Sequence, residues 1–230
     1  MKFLKFKIQG DFATFKRGTT VNDTTELILS HDYMPLTALK GFIGAILGYE
    51  GLSQATKTGK IEYMDKLSNA KIAVIPNRPT KFKQRITNTT GFGNKGATMI
   101  LEQQVLDGID YTVYISNFDD YDKLKDMILN NKTVYPLVLG RKGFTASYSE
   151  VEEVDVEFHE SSYLAGKVKG FMGLDYLRTN LEDEDYSDVR LPYSYENMLY
   201  KHKGYVLTNV NVGYCGDIII DGSDVISIFD

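Results

Sequence analysis

Apolar and polar residues alternate at the start of the chain, where Phe3, Leu4, Phe6 and Ile8 are separated by Lys5 and Lys7. A period of two marks a strand with one face in a core. The strand runs into Gly10-Asp11-Phe12-Ala13-Thr14-Phe15-Lys16-Arg17, and a polar loop continues to Asp32. From Pro35 to Gly48 the apolar positions recur at helical spacing, with Gly41, Gly44, Ala45 and Gly48 among them. Proline in the first turn and small residues three and four apart predict a helix packed closely against a sheet.

Ile72 to Ile75 reads as a second strand, ended by Pro76 and Pro79. Lys81 to Gln104 then carries two polar arms, Lys83–Thr87 and Ala97–Leu101, around a glycine-rich centre from Thr90 to Gly96, which predicts a long protruding hairpin. Strict alternation from Tyr111 to Ser116 gives a third strand, and Tyr121 to Asn130 an amphipathic helix with Leu124, Ile128 and Leu129 inward. A fourth strand runs from about Phe144 to Val151. The order is that of an α+β, ferredoxin-like (RRM-like) domain over residues 1–151, with a hairpin inserted at about 81–104. Residues 152–230 lack this rhythm. A short strand at Val154–Phe158, an acidic loop at Leu181–Val189 and three runs, Tyr205–Val212, Asp217–Ile220 and Val225–Phe229, predict a small β-rich C-terminal extension.

Charge complicates the reading of this surface. The net charge is −5, which taken alone disfavours a nucleic-acid partner, yet its distribution is uneven. The first eighteen residues hold Lys2, Lys5, Lys7, Lys16 and Arg17 against Asp11, and Lys71 to Gln104 holds six cations against Glu102. The anions gather at 107–126, 150–160 and 182–188, so a basic groove on an acidic body is the expected pattern. Lysines and arginines would neutralise phosphates there while Phe12 and Phe15 offer rings to bases; the alternative is an edge strand protected by lysines. One cysteine, Cys215, excludes an internal disulfide and a multi-cysteine zinc site. With no secretory signal and no apolar run of about 20 residues, a soluble protein of the cytoplasm without membrane contact is expected.

Three glycine-containing segments carry candidate chemistry. Gly91 to Gly96 fits a dinucleotide fingerprint by letter, but Asn88-Thr89-Thr90 precedes it rather than an apolar strand, so it reads as a hairpin tip. Gly140-Arg141-Lys142-Gly143 offers backbone amides and two cations to phosphate, or is an ordinary helix-to-strand turn. Thr37 is a candidate cap for the helix after Pro35, whose N-terminus would suit a phosphate. Metal-free RNA cleavage would need acid–base groups, and the histidines are His31, His159 and His202, at no diagnostic spacing. No HExxH, GxSxG or P-loop occurs.

The strand ending Gly10-Asp11-Phe12-Ala13-Thr14-Phe15-Lys16, the Pro35–Gly48 helix and Tyr135-Pro136-Leu137-Val138-Leu139-Gly140-Arg141-Lys142-Gly143-Phe144 together resemble the fifth family of CRISPR-associated proteins, and the subtype looks like I-B. The resemblance spans roughly residues 1–151 and implies a subunit that caps the 5′ handle of the CRISPR RNA in a type I surveillance complex (Cascade). It implies contacts with the backbone and large subunits, indirect contact with target DNA, and a hairpin acting as a thumb that kinks the RNA. Lys16, Arg17, Thr37, Lys40, Arg78, Lys83, Arg85, Phe92, Lys95, Arg141 and Lys142 are the expected RNA-binding residues. One branch of the family cuts precursor RNA with a tyrosine, a lysine and a histidine. This chain has no lysine–histidine pair at the matching strand, so a non-catalytic subunit without cofactor or metal is expected. A metal-independent endoribonuclease and a purely structural assembly protein are the alternatives.

Overall fold

The computed structural model describes residues 1–230 except 22–24, 54–57, 91–97, 117, 162, 182–184 and 198. In chain order the first elements are β1 (Lys2–Ala13), β2 (Lys16–Val21), β3 (Thr25–Ser30), α1 (Leu36–Leu47), α2 (Glu62–Lys66), β4 (Lys71–Pro76), β5 (Phe82–Thr90), β6 (Thr98–Ser116), α3 (Tyr121–Leu129) and β7 (Ser147–Asp155). The strands form one sheet built on β6. Its C-terminal half lies between β1 and β4, both antiparallel to it, and β7 pairs with the far edge of β1. Its N-terminal half lies between β5, antiparallel, and β3, parallel, with β2 beyond β3. At 19 residues, β6 is long enough to serve both groups.

The pattern along β1 explains where the core lies. Leu4, Phe6 and Ile8 face one side, where they pack with Leu39, Phe42, Ile43 and Ile46 of α1 and Leu124 and Ile128 of α3. Phe3 points the other way and is buried with Ala73, Tyr114, Ile219, Ile226 and Ile228. The adjacent pair Phe3-Leu4 is thus what a strand covered on both faces requires. The C-terminal strands are β8 (Glu157–His159), β9 (Leu164–Lys167), β10 (Met172–Gly173), β11 (Tyr186–Glu196), β12 (Leu199–Thr208), β13 (Asn211–Tyr214), β14 (Ile218–Asp221) and β15 (Asp224–Ser227). They make small sheets ordered β10-β12-β11, β13-β9 and β15-β14-β8. Phe229 stacks on Phe171 at 4.5 Å and its N–H donates to the Ile72 carbonyl at 2.7 Å, tying this region to the main sheet.

Several sequence expectations need correction. The polar stretch after Arg17 contains paired strands β2 and β3, because Leu27, Ile28 and Leu29 supply a strand on the edge of β6. The second hairpin arm and the Tyr111–Ser116 strand are one continuous β6. The small residues of α1 meet another helix instead of a sheet: a Cβ on Gly44 would lie 2.7 Å from the Tyr63 Cβ of α2. Leu129 points outward, 53% exposed, since it follows Ile128 on the helix surface. Phe144 lies in the loop before β7, and the acidic segment runs into β11, which begins at Tyr186. Pro35, extended at φ −65° and ψ 153°, is the residue that precedes α1, and no side chain caps the helix. Thr37 is therefore its second residue, buried in the first turn, and is no cap.

Candidate nucleic-acid interface

The segments richest in glycine and cations converge at the end of β1. The Thr14 N–H donates to the Leu139 carbonyl at 3.1 Å, and the Leu139 N–H donates to the Phe144 carbonyl at 2.8 Å, so the Leu139–Phe144 loop closes on itself and docks on the strand. Gly140 has φ +81°, and a Cβ there would overlap the Thr14 carbonyl oxygen. Only glycine meets both conditions, the left-handed backbone and the close approach. Gly10 completes the seat, since a Cβ on it would press on the Leu139 side chain at 2.6 Å.

This docking gathers cations and rings from three elements. Phe12 of β1 and Phe144 of the loop sit 6.1 Å apart. Lys83 Nζ lies 5.7 Å from the Phe12 ring centroid, and the Arg85 guanidinium 5.9 Å from that of Phe144. Arg141 donates from Nη1 to Oε1 of the buried Gln103 on β6. Phe144 is buried and anchors the cluster, whereas Phe12 is 40% exposed and presents a ring face. Asp107 pairs with Lys83 at 2.9 Å and offsets one of the charges. The arrangement offers phosphates the charges of Lys83, Arg85 and Arg141, and offers a base the ring of Phe12.

The other expected residues are dispersed. Lys16 and Arg17 lie exposed on β2, at a bulge opposite Ser30 and Leu29, and Lys142 is exposed at the tip of the docked loop. Arg78 pairs with Asp110 at 3.6 Å. Thr37 and Lys40 are both buried. Burial lowers the Lys40 pKa from 10.5 to about 8, so this side chain belongs to the interior and is removed from the surface set. Phe92 and Lys95 fall outside the described residues. Nor is β1 a free basic edge: it is an inner strand, and its lysines face the acids of β7. Lys2 meets Glu153 at 3.6 Å, Lys5 meets Glu152 and Asp221 at 3.0 Å, and Lys7 meets Glu150 at 2.7 Å.

His31 and His202, far apart in sequence, stand with ring centroids 6.0 Å apart. His31 is buried, and burial, reinforced by the charges of His202 and Arg17, draws its pKa down to about 4. Little in the sequence points to Gln103, Asp107 or Arg190: Asp107 reaches Lys83 through the β5–β6 pairing, Gln103 reaches Arg141 through the docking of the loop, and Arg190 reaches Arg17 across a cavity. Their one advance signal is that Gln103 falls on the inward side of an alternating strand. Among the described residues, no group of three His, Cys, Asp or Glu side chains is placed to hold a metal ion, and no helix is long and apolar enough to cross a membrane.

A family model described as CRISPR-associated protein (Cas_Cas5) matches residues 3–199. No curated protein matches the sequence. Among solved structures, a CRISPR protein from Archaeoglobus fulgidus is 10% identical with a TM-score of 0.51, covering 98% of this chain and 97% of that one. A chain of a CRISPR RNA-guided surveillance complex is 13% identical with a TM-score of 0.49, covering 93% and 91%.

Proposed function

This chain belongs to the Cas5 family of CRISPR-associated proteins, and we propose that it is a non-catalytic RNA-binding subunit of a type I surveillance complex. In this reading it caps the 5′ handle of the guide RNA. The observation that carries it is the convergence of Lys83, Arg85 and Arg141 with Phe12 where the start of β5 pairs with β6 beside the end of β1. Lys16, Arg17 and Lys142 extend the cationic surface, and Arg78, Phe92 and Lys95 complete the proposed contact set. The β5–β6 arms are the proposed thumb, ordered against RNA and a neighbouring backbone subunit. The antiparallel order β7-β1-β6-β4, with α1 and α3 as the connecting helices, supports a ferredoxin-like description of the first part of the chain. The large subunit is a further proposed partner, and I-B the proposed subtype.

Two features favour binding over cleavage. A general base works best with a pKa near the operating pH, and His31 at about 4 is far below it and enclosed. Among the residues at the aromatic–cationic cluster there is no histidine.

The test is the salt dependence of affinity for handle RNA. Neutralising three or four phosphates on a single strand should cost about 20- to 50-fold in affinity between 50 and 200 mM salt. Arg85→Ala and Arg141→Ala should each weaken binding and flatten that slope by about 0.7. Affinity indifferent to salt and to both substitutions would refute the interface.

A further inference from the structure

Two distant parts of the chain meet over a cavity of about 340 Å³. Arg17, His31 and Asp32 line it from the β2–β3 side, and Asp188, Arg190 and His202 from the β11–β12 hairpin. Strand geometry places the second group on one face. Asp188, Arg190 and Pro192 are spaced by two along β11, and His202 is the register partner of Pro192 on β12. The first group is fixed through the backbone: the His31 N–H donates to the Phe15 carbonyl at 2.8 Å, and the Ser30 hydroxyl donates to the His31 carbonyl at 2.8 Å. The two imidazoles face each other across the junction at 6.0 Å, tilted by 41°.

We propose that this cavity binds a phosphodiester group of single-stranded RNA, with Arg17, Arg190 and the facing imidazoles as donors, so that the C-terminal hairpin completes a second contact site. The proposal rests on the RNA-binding reading and extends it to residues beyond the β5–β6 cluster. A guanidinium matches a phosphate in bidentate geometry, and the volume is at the lower end of what holds a small polar ligand. In formal charge, Arg17 and Arg190 balance Asp32 and Asp188, so an anion would be held by the placement of the two guanidiniums rather than by a net positive charge. Burial is the main reason that the His31 pKa is depressed; the positive field of His202 and Arg17 adds to it, and a backbone hydrogen bond at Arg190 opposes it. An anion between the rings would offset the share contributed by His202 and Arg17 and favour the charged imidazole. Binding should therefore raise the His31 titration midpoint, the opposite of its displacement in the free protein.

The experiment follows the imidazole signals of the whole protein by NMR while a single-stranded RNA decamer is added, with inorganic phosphate as a second probe. RNA should raise the His31 midpoint by about one pH unit or more, the scale expected for an opposite charge within hydrogen-bonding range. Inorganic phosphate at high concentration should move it the same way. Arg190→Ala should abolish the RNA-induced shift and weaken RNA binding about tenfold, the loss of one charge-assisted contact, with an unchanged thermal midpoint because Arg190 is exposed. Arg190→Lys should restore part of the affinity. In the Lys83→Ala/Arg85→Ala variant, affinity should fall but the His31 shift at saturation should persist. RNA that binds with full affinity to Arg190→Ala and leaves His31 unmoved would overturn the pocket while leaving the RNA-binding reading intact. No RNA binding by the unaltered protein would overturn both.

Discussion

Lys40 offers a sharp test of the packing described here. It sits on α1 with 8% of its surface exposed, and burial draws its pKa from 10.5 to about 8. At about 1.4 kcal/mol for each tenfold, a fall of that size means that holding the charge inside costs on the order of 3 kcal/mol at neutral pH. The penalty is fully present below pH 8, where both folded and unfolded chains are protonated. Between about 8 and 10.5 the unfolded chain binds the proton and the folded chain does not, so stability rises with pH through that window. Lys40→Met keeps the aliphatic length and removes the charge. Urea unfolding at pH 7 should show a gain of about 1–3 kcal/mol, and the thermal midpoint should rise by about 2–4 °C for each kcal/mol. The difference between variant and unaltered protein should shrink as pH approaches 10. Affinity for RNA should not change. A variant that is less stable at pH 7, or that loses RNA binding, would refute the assignment of this lysine to the interior.

Gly140→Ala should destabilise the protein by about 1–2 kcal/mol from its left-handed backbone alone, with more from the overlap at Thr14, and should weaken RNA binding by displacing Arg141; thermal melts and binding titrations check both. Gly44→Ala should cost about 1–3 kcal/mol through the Tyr63 contact on α2 while leaving RNA affinity intact, which separates core packing from the interface in the same assays. Lys2→Ala and Lys7→Ala together should leave RNA affinity unchanged, because Glu153 and Glu150 already engage these lysines; a marked loss would mean that β1 contacts RNA directly.

Much of the first half was legible because its pattern is local. The alternation of β1, the helical spacing of α1 and α3, and the proline stop after β4 are each written in consecutive residues. What was missed depends on residues far away. The lysines of β1 look like a free basic surface until β7, some 145 residues later, brings Glu150, Glu152 and Glu153 beside them. Strand β11 was hidden because its first half is exposed and polar, so no apolar period announces it. Thr37 is a residue type that often caps helices, but extended Pro35 holds the position before the helix, which begins at Leu36, so Thr37 falls inside the first turn. The approach of Gly10 and Gly140 explains physically why two glycine-bearing motifs a hundred and thirty residues apart belong to one site. The meeting of His31 with His202 has no sequence signature at all, since it arises from how the C-terminal hairpin docks.

The central claim is that this protein holds the 5′ end of a guide RNA through the cluster around Phe12, Arg85 and Arg141. The most direct measurement is to isolate the protein from its native host, crosslink bound RNA with ultraviolet light, sequence that RNA and map the crosslinked residues. The account predicts RNAs that share one 5′ segment, crosslinked within Phe12, the β5–β6 arms or the Leu139–Phe144 loop. Recovery of no RNA, or of mixed RNAs without a common 5′ segment and crosslinked elsewhere, would contradict it.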